Sequence, residues 1–155
     1  MLKTRILLGL LLIVGAFSSC KKDEYDAEKQ LKIDDALIVD FIAKNSIVAV
    51  KHSSGVYYQI INPGSGGVNY TSNTSVSVTY EGRLLNGQLF DKSATTATFT
   101  LGGLIQGWQI GIPLIQKGGR IRLIVPSTLA YKNEARGSIP ANAVLDFTID
   151  LFNAQ

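Results

Sequence analysis

The chain has 155 residues, 46% of them apolar and 17% charged, which fits one packed domain with an appendage and excludes a disordered polyelectrolyte. Its formal charge is +3, and removal of Lys3 and Arg5 with a leader would lower it to +1, so the basic bias of a nucleic-acid binder is missing and no nucleic-acid partner is expected. A single cysteine excludes an intramolecular disulfide framework.

Residues 1–19 read as a signal peptide. Met1 to Arg5 is a short positive region, and Ile6 to Phe17 is an apolar run broken by Gly9 and Gly15, too short to span a bilayer. Ser18, Ser19 and Cys20 follow, and charged residues begin at once. One reading is an ordinary small-residue cleavage site with an incidental thiol. The other is that the junction resembles a bacterial lipoprotein signal, with Phe17 departing from the usual aliphatic residue. That resemblance implies that Cys20 is lipidated, becomes the mature N-terminus and anchors the chain to a membrane of the cell envelope. Residues 20–26 form a polar tether. Its acidic residues resemble surface-export signals of Bacteroidetes-type lipoproteins, with a solvated linker as the alternative; the outer membrane, on its periplasmic or surface face, is the expected location.

Residues 27–50 are a helical segment. From Ala27 to Lys44, Leu31, Ile33, Ala36, Leu37, Ile38, Val39, Phe41 and Ile42 form an apolar stripe broadly at helical spacing. The helix packs on the domain in cis, the favoured reading, or joins two copies as a homodimer. Residues 51–155 form the main domain. Val56 to Ile61 reads as a strand, closed by a turn cluster from Asn62 to Gly67. Ser75 to Leu85 alternates, with Val76, Val78 and Tyr80 on one face. Asn86-Gly87 is a hairpin turn, and Leu89-Phe90-Asp91 returns. Ala97 to Leu101 is a short strand. Ile105 to Ile112 makes about two helical turns, ended near Pro113. Arg120 to Pro126 is a strand with Ile121, Leu123 and Val125 on one face. Ser127 to Ala143 is a long loop, and Val144 to Phe152 the last strand. Antiparallel strands with one short central helix are an α+β arrangement.

Tyr80, Phe90, Asp91, Trp108 and Tyr131, with glycine turns between them, have the composition of a concave apolar pocket with few polar groups, not of a hydrolytic or metal site. The order of the motifs is specific. V-x-V-x-Y-x-G (Val76 to Gly82) is followed by N-G-x-x-F-D (Asn86 to Asp91), F-x-L-G (Phe99 to Gly102) and L-I-x-G-W-x-x-G (Leu104 to Gly111). K-G-G-x-x-R-L-I-V-P (Lys117 to Pro126), L-A-Y (Leu129 to Tyr131) and I-P-x-N-A-V-L-x-F-x-I-x-L (Ile139 to Leu151) complete the series. From about Val56 to Phe152 the chain resembles the FKBP-type peptidyl-prolyl cis-trans isomerases.

That resemblance implies a twisted antiparallel sheet wrapped around the short helix. It implies catalytic roles for Tyr80, Asp91, Phe99 and Tyr131, and substrate contacts from Phe90, Leu104, Ile105, Trp108, Ile139 and Phe147. Trp108 would form the floor under a proline ring. The Ile105 N–H would receive a ligand carbonyl, Tyr131 would supply a phenolic hydrogen bond, and Asp91, held by Tyr80, would sit near the twisting amide. The substrates implied are proline-containing polypeptides. No cofactor or metal is expected, because rotation about an amide forms no bond to carbon. A non-catalytic proline-peptide-binding module of the same fold is the alternative. Lys132 stands where the family often has glycine, Ala141 where a second proline is common, and Asn133 to Arg136 replace a more glycine-rich loop.

Overall fold

A computed structural model describes residues 24–155; the expected leader, Cys20 and the first part of the tether lie outside the described residues. In chain order the elements are α1 (Ala27–Lys44), β1 (Val50–Lys51), β2 (Tyr57–Asn62), β3 (Ser75–Leu84), β4 (Leu89–Lys92), β5 (Ala97–Thr100), α2 (Gln106–Gly111), β6 (Arg120–Val125) and β7 (Leu145–Ala154). The strands form one antiparallel sheet in the order β1-β2-β6-β7-β3-β4, and β5 pairs with the first half of β3 while β4 pairs with the second. The expected α+β architecture is borne out.

β3 and β7 form the middle of the sheet, with Gly82 opposite Phe147 and Tyr80 opposite Ile149. The alternation of β3 explains its placement: Val76, Val78, Gly82 and Leu84 are buried, and Ser77, Thr79, Glu81 and Arg83 are partly exposed. At the Asn86-Gly87 turn, Gly87 takes a φ of 88°, a left-handed conformation that suits glycine, and its N–H donates to the Leu84 carbonyl at 2.9 Å.

α2 has six residues, too few to persist alone in water. Packing holds it. A Cβ at Gly107 would run into the Val125 methyls and one at Gly111 into those of Leu123, so the two glycines let the helix backbone lie directly on β6. Trp108 and Ile112 then enter a core with Val76, Val78, Ile121, Leu123, Phe147 and Ile149. Pro113 falls in a 3₁₀ turn, Ile112–Leu114, that continues α2.

α1 covers a second, smaller core of Ile38, Tyr57, Ile124 and Val144, flanked by Phe41 and Ile42. Alternation along β6 sends Ile121 and Leu123 to one core and Ile124 to the other. Full burial of Ile38 contributes about 1.5–3 kcal/mol. The helix therefore packs in cis, but its inner stripe is narrower than the expected one. Leu31, Asp34, Ile38, Phe41 and Ile42 face inward, whereas Ile33, Leu37 and Val39 are 46%, 49% and 51% exposed. Eight apolar positions in one helix cannot all share a face, and a buried aspartate takes a place on the inner one. Asp26 caps the helix by accepting the Lys29 N–H at 3.0 Å.

Ser127 to Ala143, expected as one loop, contains a 3₁₀ turn at Ser127–Leu129 and an antiparallel bridge between Arg136 and Ile139. β1 straddles the expected boundary between residues 50 and 51.

Candidate active site

β3, β4, β5, β7, α2 and the segment after β6 each bring one or more side chains to a single cavity of about 270 Å³. Tyr80, Phe90, Asp91, Phe99, Leu104, Ile105, Trp108, Tyr131 and Phe147 line it, together with Gly103. Ile139 does not. It is buried in the same core cluster as Trp108 and Phe147, and its backbone exchanges two 2.9 Å hydrogen bonds with Arg136.

Trp108 is the centre of the aromatic cluster. Its ring meets Tyr80 at 5.1 Å and Phe147 at 5.2 Å edge-on, and Phe99 at 6.4 Å. Phe90 meets Phe147 at 5.5 Å with the rings perpendicular. Edge-to-face contacts of this kind add about 0.5–1.5 kcal/mol each beyond burial and fix ring orientation. Gly82 makes the arrangement fit: a Cβ there would stand 2.5 Å from Phe90 Cζ and 2.9 Å from Phe147 Cε1. The Trp108 Nε1 donor is buried without a protein partner.

The polar groups are few. The Tyr80 hydroxyl donates to Asp91 Oδ2 at 2.7 Å, and Asp91 Oδ1 accepts the Lys92 N–H at 2.8 Å. Burial, and then the hydrogen bond to Asp91 and its charge, push the Tyr80 phenol up to about 12, so it stays protonated and donating at neutral pH. The Ile105 carbonyl accepts from the Trp108 and Gln109 amides at 3.0 and 3.2 Å, while its own N–H makes none of the backbone bonds that hold this turn. The Gln109 amide braces the segment by donating to the Leu104 carbonyl at 2.7 Å.

Two neighbours carry no signal in the sequence motifs. Gly103 follows the F-x-L-G motif as a second glycine, and a Cβ on it would meet nothing within 4 Å. The Arg136 guanidinium lies over the Tyr131 ring at 5.1 Å and pairs with Glu134 at 2.9 Å. Lys132, expected as a departure at a glycine position, has a φ of 57°.

A second crevice, of about 250 Å³, is lined by Thr79, Glu81, Lys92, Arg120 and Asp150. Its charges are already paired, Arg120 with Asp150 at 3.6 Å and Lys92 with Glu81 at 3.4 Å, and Tyr80 is its one aromatic lining residue, against six aromatic residues in the first cavity. The aromatic cavity is the candidate site. No cluster of metal-ligating side chains occurs among the described residues.

The family model for FKBP-type peptidyl-prolyl cis-trans isomerases matches residues 66–152, more than half of the chain. The chain belongs to this family. It is 42% identical over 108 residues to the FKBP-type peptidyl-prolyl cis-trans isomerase FkpA of Buchnera aphidicola from Schizaphis graminum, a match covering 68% of this chain and 43% of that protein. The crystal structure of FkpA from Escherichia coli superposes with a TM-score of 0.71 at 31% identity, over 83% of this chain and 62% of that one. A peptidyl-prolyl cis-trans isomerase from Pseudomonas syringae pv. tomato gives 0.70 at 29% identity, over 85% and 98%. The sequence matches thus cover less than half the length of the FkpA proteins of Buchnera and Escherichia coli.

Proposed function

We propose that this chain is a peptidyl-prolyl cis-trans isomerase acting on proline-containing polypeptides of the bacterial cell envelope. The observation that carries the reading is the aromatic cavity with a single protein carboxylate at its rim, Asp91, held by Tyr80. X–Pro rotation faces a barrier of about 18–20 kcal/mol. The twisted amide has lost resonance and is less polar than either planar form, so an apolar cavity favours it. If the cavity binds the twisted form about 4 kcal/mol better than the planar ones, rotation accelerates about a thousandfold.

Each residue has a part in this reading. Trp108 is the floor under the proline ring. Phe90, Phe99, Leu104 and Phe147 are the walls. The Ile105 N–H and the Tyr131 hydroxyl hold the ligand carbonyls on either side of the rotating bond. Tyr80 fixes Asp91, whose charge acts on the carbonyl dipole as it turns. The Ile139 backbone braces the Arg136 loop. In a protease-coupled assay on a short proline peptide, catalytic amounts of the chain should abolish the slow phase of cleavage. Saturable quenching of Trp108 by the same peptide without acceleration would favour the binding-module reading.

The chain is anchored by lipid on Cys20, after removal of residues 1–19, with residues 20–26 as tether and residues 51–155 as the isomerase domain. The sequence at Ser18-Ser19-Cys20 supports this. Cys20→Ser should abolish partitioning into detergent; unchanged partitioning rules the anchor out. The alternative to a monomer is a homodimer through α1, for which exposed Ile33 and Leu37, one turn apart, are the supporting observation. Light scattering that gives the mass of one chain would exclude it.

A further inference from the structure

Asp34, on α1, is fully buried, yet no cation pairs with it among the described residues. The other buried acid, Asp146, is held by Arg122 at 2.9 and 2.7 Å. Asp34 is satisfied by hydrogen bonds alone. Its Oδ2 accepts both the N–H and the hydroxyl of Ser127, at 2.8 and 2.6 Å, and its Oδ1 accepts from the Gln30 amide at 2.8 Å. Burying a carboxylate costs several kcal/mol before such bonds offset it, so an apolar residue would serve the core better. The partner's place in the chain supplies a reason. Ser127 opens the 3₁₀ turn that leads to Tyr131. Its carbonyl accepts the N–H of Ala130 at 3.0 Å and of Lys132 at 2.8 Å, the two residues flanking Tyr131. The Lys132 carbonyl in turn accepts the Asn142 N–H at 2.7 Å. One residue is thus gripped by α1 through its amide and hydroxyl, and through its carbonyl grips both sides of a cavity-lining tyrosine.

We propose that Asp34 is a positioning residue for the isomerase site: through Ser127 it sets where Tyr131 stands in the cavity, so the docking of α1 and the binding of substrate are coupled. This rests on the role given to Tyr131 above. The N-terminal helix is then part of the site's frame and not only a cover for the second core. Loss of Asp34 leaves the cavity's floor and walls in place and loosens one hydrogen-bonding arm. Substrate affinity should fall while turnover of bound substrate holds.

The test is a double-mutant cycle in the full-length chain, with a short blocked Ala-Leu-Pro-Phe peptide as probe. Tyr131→Phe should raise KM about three- to tenfold, the loss of one hydrogen bond. Asp34→Ala should raise KM by a similar factor, with kcat within about twofold of wild type, and the double variant should match Tyr131→Phe to within about twofold. Factors that multiply in the double variant overturn the proposal, as does an unchanged KM in folded Asp34→Ala. Asp34→Asn, which keeps an acceptor for Ser127 if the Gln30 amide turns over, should restore KM. If Asp34→Ala does not fold, Ser127→Ala, which drops only the hydroxyl, takes its place in the cycle. Amide exchange gives a readout independent of activity. The Ala130 and Lys132 amides should lose about tenfold or more of their protection in Asp34→Ala while those of β3 and β7 keep theirs. Unchanged protection at those two amides overturns the proposal even if the wild-type chain is inactive, a result that would by itself refute only the isomerase reading.

Discussion

Gly82→Ala tests the aromatic wall at its tightest point. Gly82 sits on β3 opposite Phe147 on β7 and Asp91 on β4. Its new Cβ would stand 2.5 and 2.7 Å from Phe90 Cζ and Cε2 and 2.9 Å from Phe147 Cε1. Phe147 is 4% exposed and wedged between Trp108 and Phe90, so it cannot yield. Phe90 is half-buried and must swing outward. Overpacking of this kind costs about 1–3 kcal/mol, and the entropy lost from the unfolded chain on replacing glycine returns about 0.4–1 kcal/mol. The net loss is about 1–2 kcal/mol, or a fall in Tm of about 3–8 °C. Because Phe90 adjoins Asp91 in β4, its movement displaces the carboxylate, and kcat/KM should fall about tenfold or more. Thermal unfolding and the isomerisation assay on the same samples read both numbers. Gly103→Ala is the control: it lines the same cavity, meets nothing within 4 Å, and should change stability by no more than about 0.5 kcal/mol. A Gly82→Ala variant with wild-type Tm and activity would refute the packing argument.

Asp91→Ala should lower turnover with little change in Tm, because the side chain is exposed and its partner Tyr80 keeps access to water. Phe99→Ala should harm both, but by about 1–3 kcal/mol of stability rather than the larger loss of a fully buried aromatic, since β5 leaves Phe99 partly exposed; paired melting and rate measurements separate the two. Tyr80 has a folded-state pKa near 12 against an ordinary 10.0, so its contribution to stability is complete below pH 10 and is lost as pH rises through about 12. The difference in unfolding free energy between wild type and Tyr80→Phe should therefore hold constant from pH 7 to about 10 and shrink above it; ultraviolet titration showing every tyrosine ionising together near 10 would contradict this. Lys132 occupies the left-handed region at φ 57°, so Lys132→Gly should be more stable than Lys132→Ala by about 1 kcal/mol in chemical denaturation.

Local signals in the sequence account for much of this molecule. The Asn86-Gly87 turn and the alternation of β3 place Tyr80 and Asp91 on adjoining strands, close enough for their hydrogen bond. The short helix around Trp108 was legible too, but its close approach to β6 at Gly107 and Gly111 was not. Phe147 was reachable only through the family resemblance, because pairing of β7 with β3 links residues that no local pattern connects. The bulge between Gly82 and Arg83 was likewise hidden, since alternation records a face and not a register shift. Asp34 reads as one more polar position on a helix; only the fold, by setting α1 against a turn 93 residues away, turns it into an acceptor for Ser127. The same blindness widened the expected stripe to include Ile33, Leu37 and Val39. The family resemblance implies a substrate contact for Ile139, which is buried beside the cavity but is not among its lining residues.

The central claim is that the aromatic cavity accelerates rotation about X–Pro bonds, and exchange spectroscopy tests it without a coupling protease. A proline peptide in excess over the full-length chain interconverts alone over tens to hundreds of seconds. With the wild-type chain, cis–trans exchange peaks should appear at mixing times below about one second and weaken with Asp91→Ala. Peptide resonances that shift on binding, with no exchange peaks at any mixing time shorter than the uncatalysed rate allows, would contradict it.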